Sequence, residues 1–183
     1  MEFRKMRRFK QELSEQESLE ILRAGTHGVL AVAGDDGYPY AVPLSNVYHD
    51  GYLYFHCAKQ GHKLDAIARN PKASICVVDA DDIKPAEFTT YFRSVICFGT
   101  VRVMDMDDAV TLAKHIILSD KYSPGMDAER DAEIASGFHR MLMLEFRIEH
   151  MSGKQAKELF QHGNREHRFY IYQADIAFHC GNS

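Results

Sequence analysis

The chain has 183 residues, of which 45% are hydrophobic and 26% charged, and its net charge is −4. That length suits one domain with a substantial core, and the composition is that of a globular protein. The negative balance argues against a general nucleic-acid binder, which carries a basic face. No apolar run is long enough to span a bilayer, and no h-region follows the N-terminal charges, so a soluble cytoplasmic protein with no membrane partner is expected. The opening MEFRKMRRFK holds five Lys or Arg and reads as a solvated arm or a partner contact.

A first helix is predicted over residues 14–24. Ser14 and Glu17 form a capping-box pattern, Leu19 and Leu22 give an apolar stripe, and Gly25 ends it. HGVLAVA, residues 27–33, reads as a strand, and GDDG as a hairpin turn. The next strand covers residues 38–49. Tyr38, Tyr40, Val42, Leu44, Asn46 and Tyr48 share one face, with Pro39 and Pro43 on the other. Proline cannot donate to a ladder, so two of them imply an edge, a bulge or a bend. Backbone groups near Pro43 are then free to meet a flat heteroaromatic ligand.

A turn at His49-Asp50-Gly51 leads into a third strand, YLYFHC. Tyr52, Tyr54 and His56 point one way, Leu53, Phe55 and Cys57 the other. His56 stands at the strand end; a lone histidine there is more often structural than catalytic, although its pKa suits proton transfer. The strand feeds a loop with Lys59, Gly61, His62 and Lys63, then a helix carrying Leu64, Ile67 and Ala68, stopped by Asn70-Pro71. Unsatisfied N–H groups and the dipole make such a helix N-terminus an anion site, with phosphate as the natural guest; a solvated basic turn is the alternative.

Residues 72–79 form a fourth, central strand. ADDIKPAEFTT is predicted to be a polar, mobile loop. Residues 91–104 form a long fifth strand, with Gly99 at a bend or a close backbone approach. Asp105 or Asp107 caps a helix running to residue 119, with Val110, Ala113 and Ile117 as its inner face. KYSPGMDAERD is a predicted loop, followed by a short helix over residues 132–137. MLMLEFRIE is the sixth strand, with Leu142, Leu144, Phe146 and Ile148 on its buried face. After residue 154 the apolar pattern weakens. Residues 155–183 read as a tail of the same domain, in which IYQADIAFHC is a strand or a helix.

Cys57, Cys76, Cys97 and Cys180 include no C-x-x-C pair and read as reduced thiols in a reducing compartment. They lack zinc-ligand spacing with the ten histidines, so no metal is expected. No C-x-x-C-H haem signature is present. No G-x-G-x-x-G follows a strand, so any NAD(P)H would have to dock directly on another cofactor. The expected fold is mainly β, a six-stranded antiparallel barrel with peripheral helices.

The order of these segments resembles a known family. Arg7-Arg8 precedes the capped helix; then come HGVLAV, GYPYAVPLSNVY, YLYFHCAKQGHKLDAIARNPKASICVV, YFRSVICFGTVRVM and the closing MSGK. This set, spanning residues 6–154, resembles the pyridoxamine 5′-phosphate oxidase-like FMN-binding split-barrel superfamily, and within it the nitroimidazole-resistance (Nim-type) branch. The resemblance implies a split barrel and a homodimer with FMN at the subunit interface. Backbone around Val42, Pro43, Leu44 and Ser45 would meet the isoalloxazine ring. Phe55, His56, Cys57 and Ala58 would line the ribityl and ring side, and Gly61, His62 and Lys63 would hold the phosphate. Ser94 would reach the flavin from the barrel or from the partner. His56 occupies the position of the active-site histidine.

The implied activity is an FMN-dependent oxidoreductase that reduces small electron-poor substrates of the nitroaromatic type, including 5-nitroimidazoles, with NAD(P)H or another donor. The alternatives are a flavin- or haem-binding dimeric carrier or sensor without robust turnover, and an oxidase related to pyridoxamine-phosphate oxidase.

Overall fold

The computed structural model describes residues 2–161. Seven strands form one antiparallel sheet: β1 (His27–Ala33), β2 (Pro39–Ser45), β3 (Val47–His49), β4 (Tyr52–Ala58), β5 (Lys72–Lys84), β6 (Thr89–Val103) and β7 (Met141–Gln155). Five α-helices accompany them: α1 (Glu15–Ala24), α2 (His62–Arg69), α3 (Ala109–Tyr122), α4 (Asp127–Gly137) and α5 (Lys157–Gln161). The strand order is β2-β1-β5-β6-β7-β4-β3. The two edge strands are therefore consecutive in sequence, with Asn46 alone between them, and the sheet must curl until its edges meet there.

That break at Asn46 explains why seven strands replace the expected six: residues 38–49 form two strands, not one. β2 is an edge, as its prolines require, and its residues alternate between exposed and half-buried. The β3–β4 hairpin turns through Asp50 and Gly51, both at positive φ (56° and 85°). α1 carries the complete capping box, with Ser14 Oγ accepting from the Glu17 N–H and the Glu17 carboxylate accepting from the Ser14 N–H at 2.8 Å.

Three expectations are corrected. The acidic run after Asp79 is not a loop. β5 continues through it to Lys84 and pairs with β6 from Thr89 onward, across a one-residue register shift between Val78 and Ala80. The hairpin is solvated over most of its surface, so it has no alternating pattern to read; its tip holds Phe88 in the left-handed region at φ 52°. α3 is capped by Asp108, which accepts from the Val110 N–H at 2.9 Å, rather than by Asp105 or Asp107. Its buried residues are Thr111, His115 and Leu118, while Val110 and Ala113 are exposed. α4 begins at Asp127, inside the predicted loop.

The main core fills the inside of the curled sheet. Leu30, Leu53, Phe55, Val77, Val95, Leu144 and Phe146 meet Ile21 and Leu22 of α1 and Ala66 and Ile67 of α2. A register shift opposite Phe98 and Gly99 lets both Gly153 and Phe146 of β7 turn inward. A Cβ at Gly99 would run into the Arg147 carbonyl, so this bend admits only glycine. A second cluster lies outside β3 and β4, where Val47, Tyr54 and Met143 pack against Met104 and Leu118.

The outer face of β2-β1-β5-β6-β7 is different. Cross-sheet registers place Pro43, Val29, Cys76, Ile96 and Ser152 in one row, and Ala41, Ala31, Ser74, Phe98 and His150 in the next. Residues in a row share a face. Ile96 and Phe98 are each 40% exposed; among the described residues the N-terminal segment packs here, its Phe3 stacked on His150 with ring centres 4.6 Å apart. The basic N-terminal stretch is thus fastened to the sheet by Phe3 rather than wholly solvated. No described helix is long and apolar enough to cross a membrane. IYQADIAFHC and Cys180 lie outside the described residues.

Candidate functional site

β4 leaves the sheet beside α3, and β2 ends nearby at the Asn46 junction. Between them lies a cavity of about 590 Å³. The sheet contributes Ser45, His56 and Met141 to its wall. α3 adds His115, Leu118, Ser119 and Tyr122, and α4 adds Glu129, Arg130 and Glu133. Ser45 and His56 come from different strands, and both are exposed on the outer surface of the sheet.

His56 is open to the cavity, yet the atoms packed around it lower its pKa below the ordinary histidine value by desolvation. His115 is 5% exposed, and its ring centre stands 6.3 Å from that of His56. Burial lowers its pKa first, and the nearby His56 adds to the effect. Both shifts favour the neutral imidazole. His115 Nδ1 is buried with no hydrogen-bond partner among the described residues, a vacancy that costs about 1–3 kcal/mol if nothing fills it. Phe138 closes the far side of the ring edge-on at 5.4 Å.

α3 is anchored to the sheet junction by its last two residues. Lys121 Nζ donates to the carbonyls of Gly25 at 2.5 Å and Asn46 at 3.1 Å. The Tyr122 hydroxyl accepts from the Asn46 N–H at 2.8 Å and is directed at the carbonyls of Thr26 and Asn46. Burial lowers the Lys121 pKa and raises that of Tyr122.

The residues singled out from the sequence fall in four places. Val42, Leu44, Phe55 and Cys57 face the interior. Phe55 is fully buried in the core, so it can offer a ligand only its main chain. Cys57 is buried too, and burial raises its thiol pKa against the opposing pull of Lys63; the Cys97 thiol is pushed up to about 12 by burial. These thiols are inert fillers of the core. Pro43, Ser45, His56 and Ala58 are exposed on the outside.

Gly61, at φ 138°, is the N-cap of α2, and no side chain caps this helix. Lys63 lies in its first turn. His62 does not point freely into solvent: its Nε2 stands 3.4 Å from Asp35 Oδ2, and its ring lies 4.2 Å from that of Tyr40. Ser94 is elsewhere. It pairs with Lys154 on β7, whereas His56 pairs with Met143. Ser94 is not among the residues that line the cavity.

Sequence reading missed His115 and the contributions of α4. The signal for His115 was there: Thr111, His115 and Leu118 recur at i, i+4 and i+7. The more apolar Val110-Ala113-Ile117 stripe masked it.

The family model described as pyridoxamine 5′-phosphate oxidase matches residues 14–155. No curated protein matches this chain. Among solved structures, a candidate 5-nitroimidazole antibiotic resistance protein from Bacteroides thetaiotaomicron superposes with a TM-score of 0.64 at 19% identity, covering 79% of this chain and 86% of that one. An FAD-binding protein from Mesorhizobium loti gives 0.59 at 25% identity, covering 80% and 98%. An FAD and haem binding protein from Mycobacterium smegmatis gives 0.69 at 25% identity, covering 81% and 74%.

Proposed function

Since this chain belongs to the pyridoxamine 5′-phosphate oxidase family, we propose that it binds FMN as a homodimer and reduces small electron-poor aromatic molecules, nitroaromatics among them, with NAD(P)H as donor. We read the curled sheet as the split barrel of that superfamily. The observation that carries the proposal is the sharing of one cavity by Ser45 and His56, the latter on β4, which runs on within a few residues to the uncapped, basic N-terminus of α2.

The residues present fit the cofactor. The cavity volume suits a flat heterocycle. The free edge of β2 offers main-chain groups near Pro43 and Ser45. The first turn of α2 offers N–H groups and Lys63 to a phosphate. When bound, FMN supplies the electron transfer, and the chain supplies binding, orientation and local charge. His56 stands at the cavity wall, where its imidazolium form would give a proton to a reduced substrate and its neutral form would donate a hydrogen bond.

The homodimer reading rests on the run of exposed apolar side chains on the outer sheet face, Val29, Val78, Ile96 and Phe98, which the described residues cover only in part. A second copy on that face also offers a route for its Ser94 toward this chain's site. The competing reading, a haem-associated carrier, is favoured by the His56–His115 pair.

The deciding experiment is the absorbance spectrum of the purified protein before and after anaerobic NADPH and NADH. Flavin bands that bleach support the reductase. Flavin bands that persist leave a flavin carrier, a Soret band leaves the haem reading, and failure to take up added FMN defeats the proposal.

A further inference from the structure

We infer that the chamber between β4, α3 and α4 is a selective site for planar molecules that are uncharged or cationic, with His115 as its buried hydrogen-bonding wall. The inference concerns the ligand side of the cavity assigned above to the flavin reaction and rests on that reading for its chemistry, though not for its binding.

Three observations carry it. First, His115 is an imidazole more than nine-tenths buried, it lines the cavity, and its Nδ1 lacks a partner among the described residues. Buried polar groups are almost always paired, so an orphan at a cavity wall points to a guest that completes it. Its ring faces His56 across 6.3 Å, and the two bracket one end of the chamber.

Second, the cation that the described residues place in the wall, Arg130, is already neutralised. Arg130 donates to Asp120 at 2.5 Å, to Asp127 at 2.8 Å and to Asp131 at 3.0 Å. An anion entering the chamber would have to compete with three carboxylates for it. Third, Glu129 and Glu133, spaced i and i+4 on α4, also line the cavity. Among the described residues, the closest cation to Glu133 is Arg140 at 4.0 Å, and no ion pair holds Glu129. Both carboxylates are exposed and form a negative rim on a chamber whose wall mixes Leu118, Met126 and Met141 with Ser45, Ser119, Tyr122 and Ser123.

The test uses three isosteric planar probes that differ in charge and, with it, in hydrogen-bond donors and acceptors: benzamidine, benzamide and benzoate. Each is titrated calorimetrically into the full-length protein, with and without FMN, while the Cε1–H signals of His56 and His115 are followed by NMR. Benzamidine is expected to bind about tenfold tighter than benzoate, benzamide to fall between them, and the His115 signal to shift. Glu129→Gln with Glu133→Gln should close most of the gap between benzamidine and benzoate. His115→Phe, which keeps the ring volume, should weaken benzamide severalfold; His115→Gln, which restores a hydrogen-bonding group, should recover part of it.

Benzoate binding as tightly as benzamidine, or unchanged benzamide affinity in a folded His115→Phe protein, overturns the inference. Should FMN fail to bind while the probe order holds, the flavin reading falls and this one stands. Should FMN bind while the order is reversed, this one falls alone.

Discussion

Lys121 Nζ donates to the carbonyl of Asn46, the single residue between the two edge strands of the sheet, at 3.1 Å. The next residue, Tyr122, accepts from the Asn46 N–H. The end of α3 thus ties off the sheet where it closes and carries His115 to the cavity on the same rigid element. Tyr122→Phe removes the hydroxyl and leaves the Asn46 N–H with only its long bond to the Thr26 carbonyl, at 3.4 Å. We expect a loss of about 1–2 kcal/mol of stability, read as a lower urea midpoint with an unchanged slope. A midpoint equal to that of the parent protein would show that water replaces the hydroxyl and that the tie is dispensable.

The helix N-terminus discriminates between two basic neighbours. Lys63→Ala should weaken FMN binding by about 1.5–3 kcal/mol, roughly ten- to a hundredfold, measured by quenching of FMN fluorescence. His62→Ala should do less, because that imidazole is turned toward Asp35 and Tyr40. Equal losses in both variants would place His62 on the phosphate after all.

The histidine pair makes stability depend on pH. Burial lowers both pKa values in the folded chain, so between the folded and unfolded values the unfolded chain binds more protons. The contribution is complete above the unfolded pKa of about 6.5 and is lost as pH falls through the lowered folded values. Urea midpoints should therefore drop below pH 6.5, and His115→Gln should flatten that drop. A parent protein with the same midpoint at pH 5.5 and pH 7.5 would contradict the neutral, buried pair.

Gly99 tests the bend in β6. Its missing side chain faces the Arg147 carbonyl, so Gly99→Ala should cost about 1–3 kcal/mol or more from overpacking. Gly37, at φ 80° with open space around its Cβ position, should lose only about 1 kcal/mol on the same change. Thermal melts of the two variants compare them directly, and an unaffected Gly99→Ala protein would mean that β7 yields.

The uncovered sheet face is tested by charge. Ile96→Lys and Phe98→Asp place charges in the middle of the apolar rows. If a second copy lies there, sedimentation should show monomers with near-parent stability, because both side chains are already 40% exposed. A dimer that survives both changes has its interface elsewhere.

Much of this protein was legible in its sequence. Ser14 and Glu17 announced α1, Asp50-Gly51 the hairpin, Pro39 and Pro43 an edge strand, and the alternation of β4 its two faces. Each is a local signal whose physics is complete within a few residues: a cap, a positive φ, a missing N–H, a two-residue period. The sequence also placed His56 at a strand end and a basic turn at a helix start. What it could not provide was the partner of each. The acidic hairpin after Asp79 is solvated over most of its surface and so carries no pattern. The apolar stripe of α3 admitted two rotations, and only packing against Tyr54 and Met143 selected the one that buries His115. Ser45 and His56 line one cavity, and Ser94 stands outside its lining, because strand order and curl are settled by long-range pairing, which no local pattern encodes.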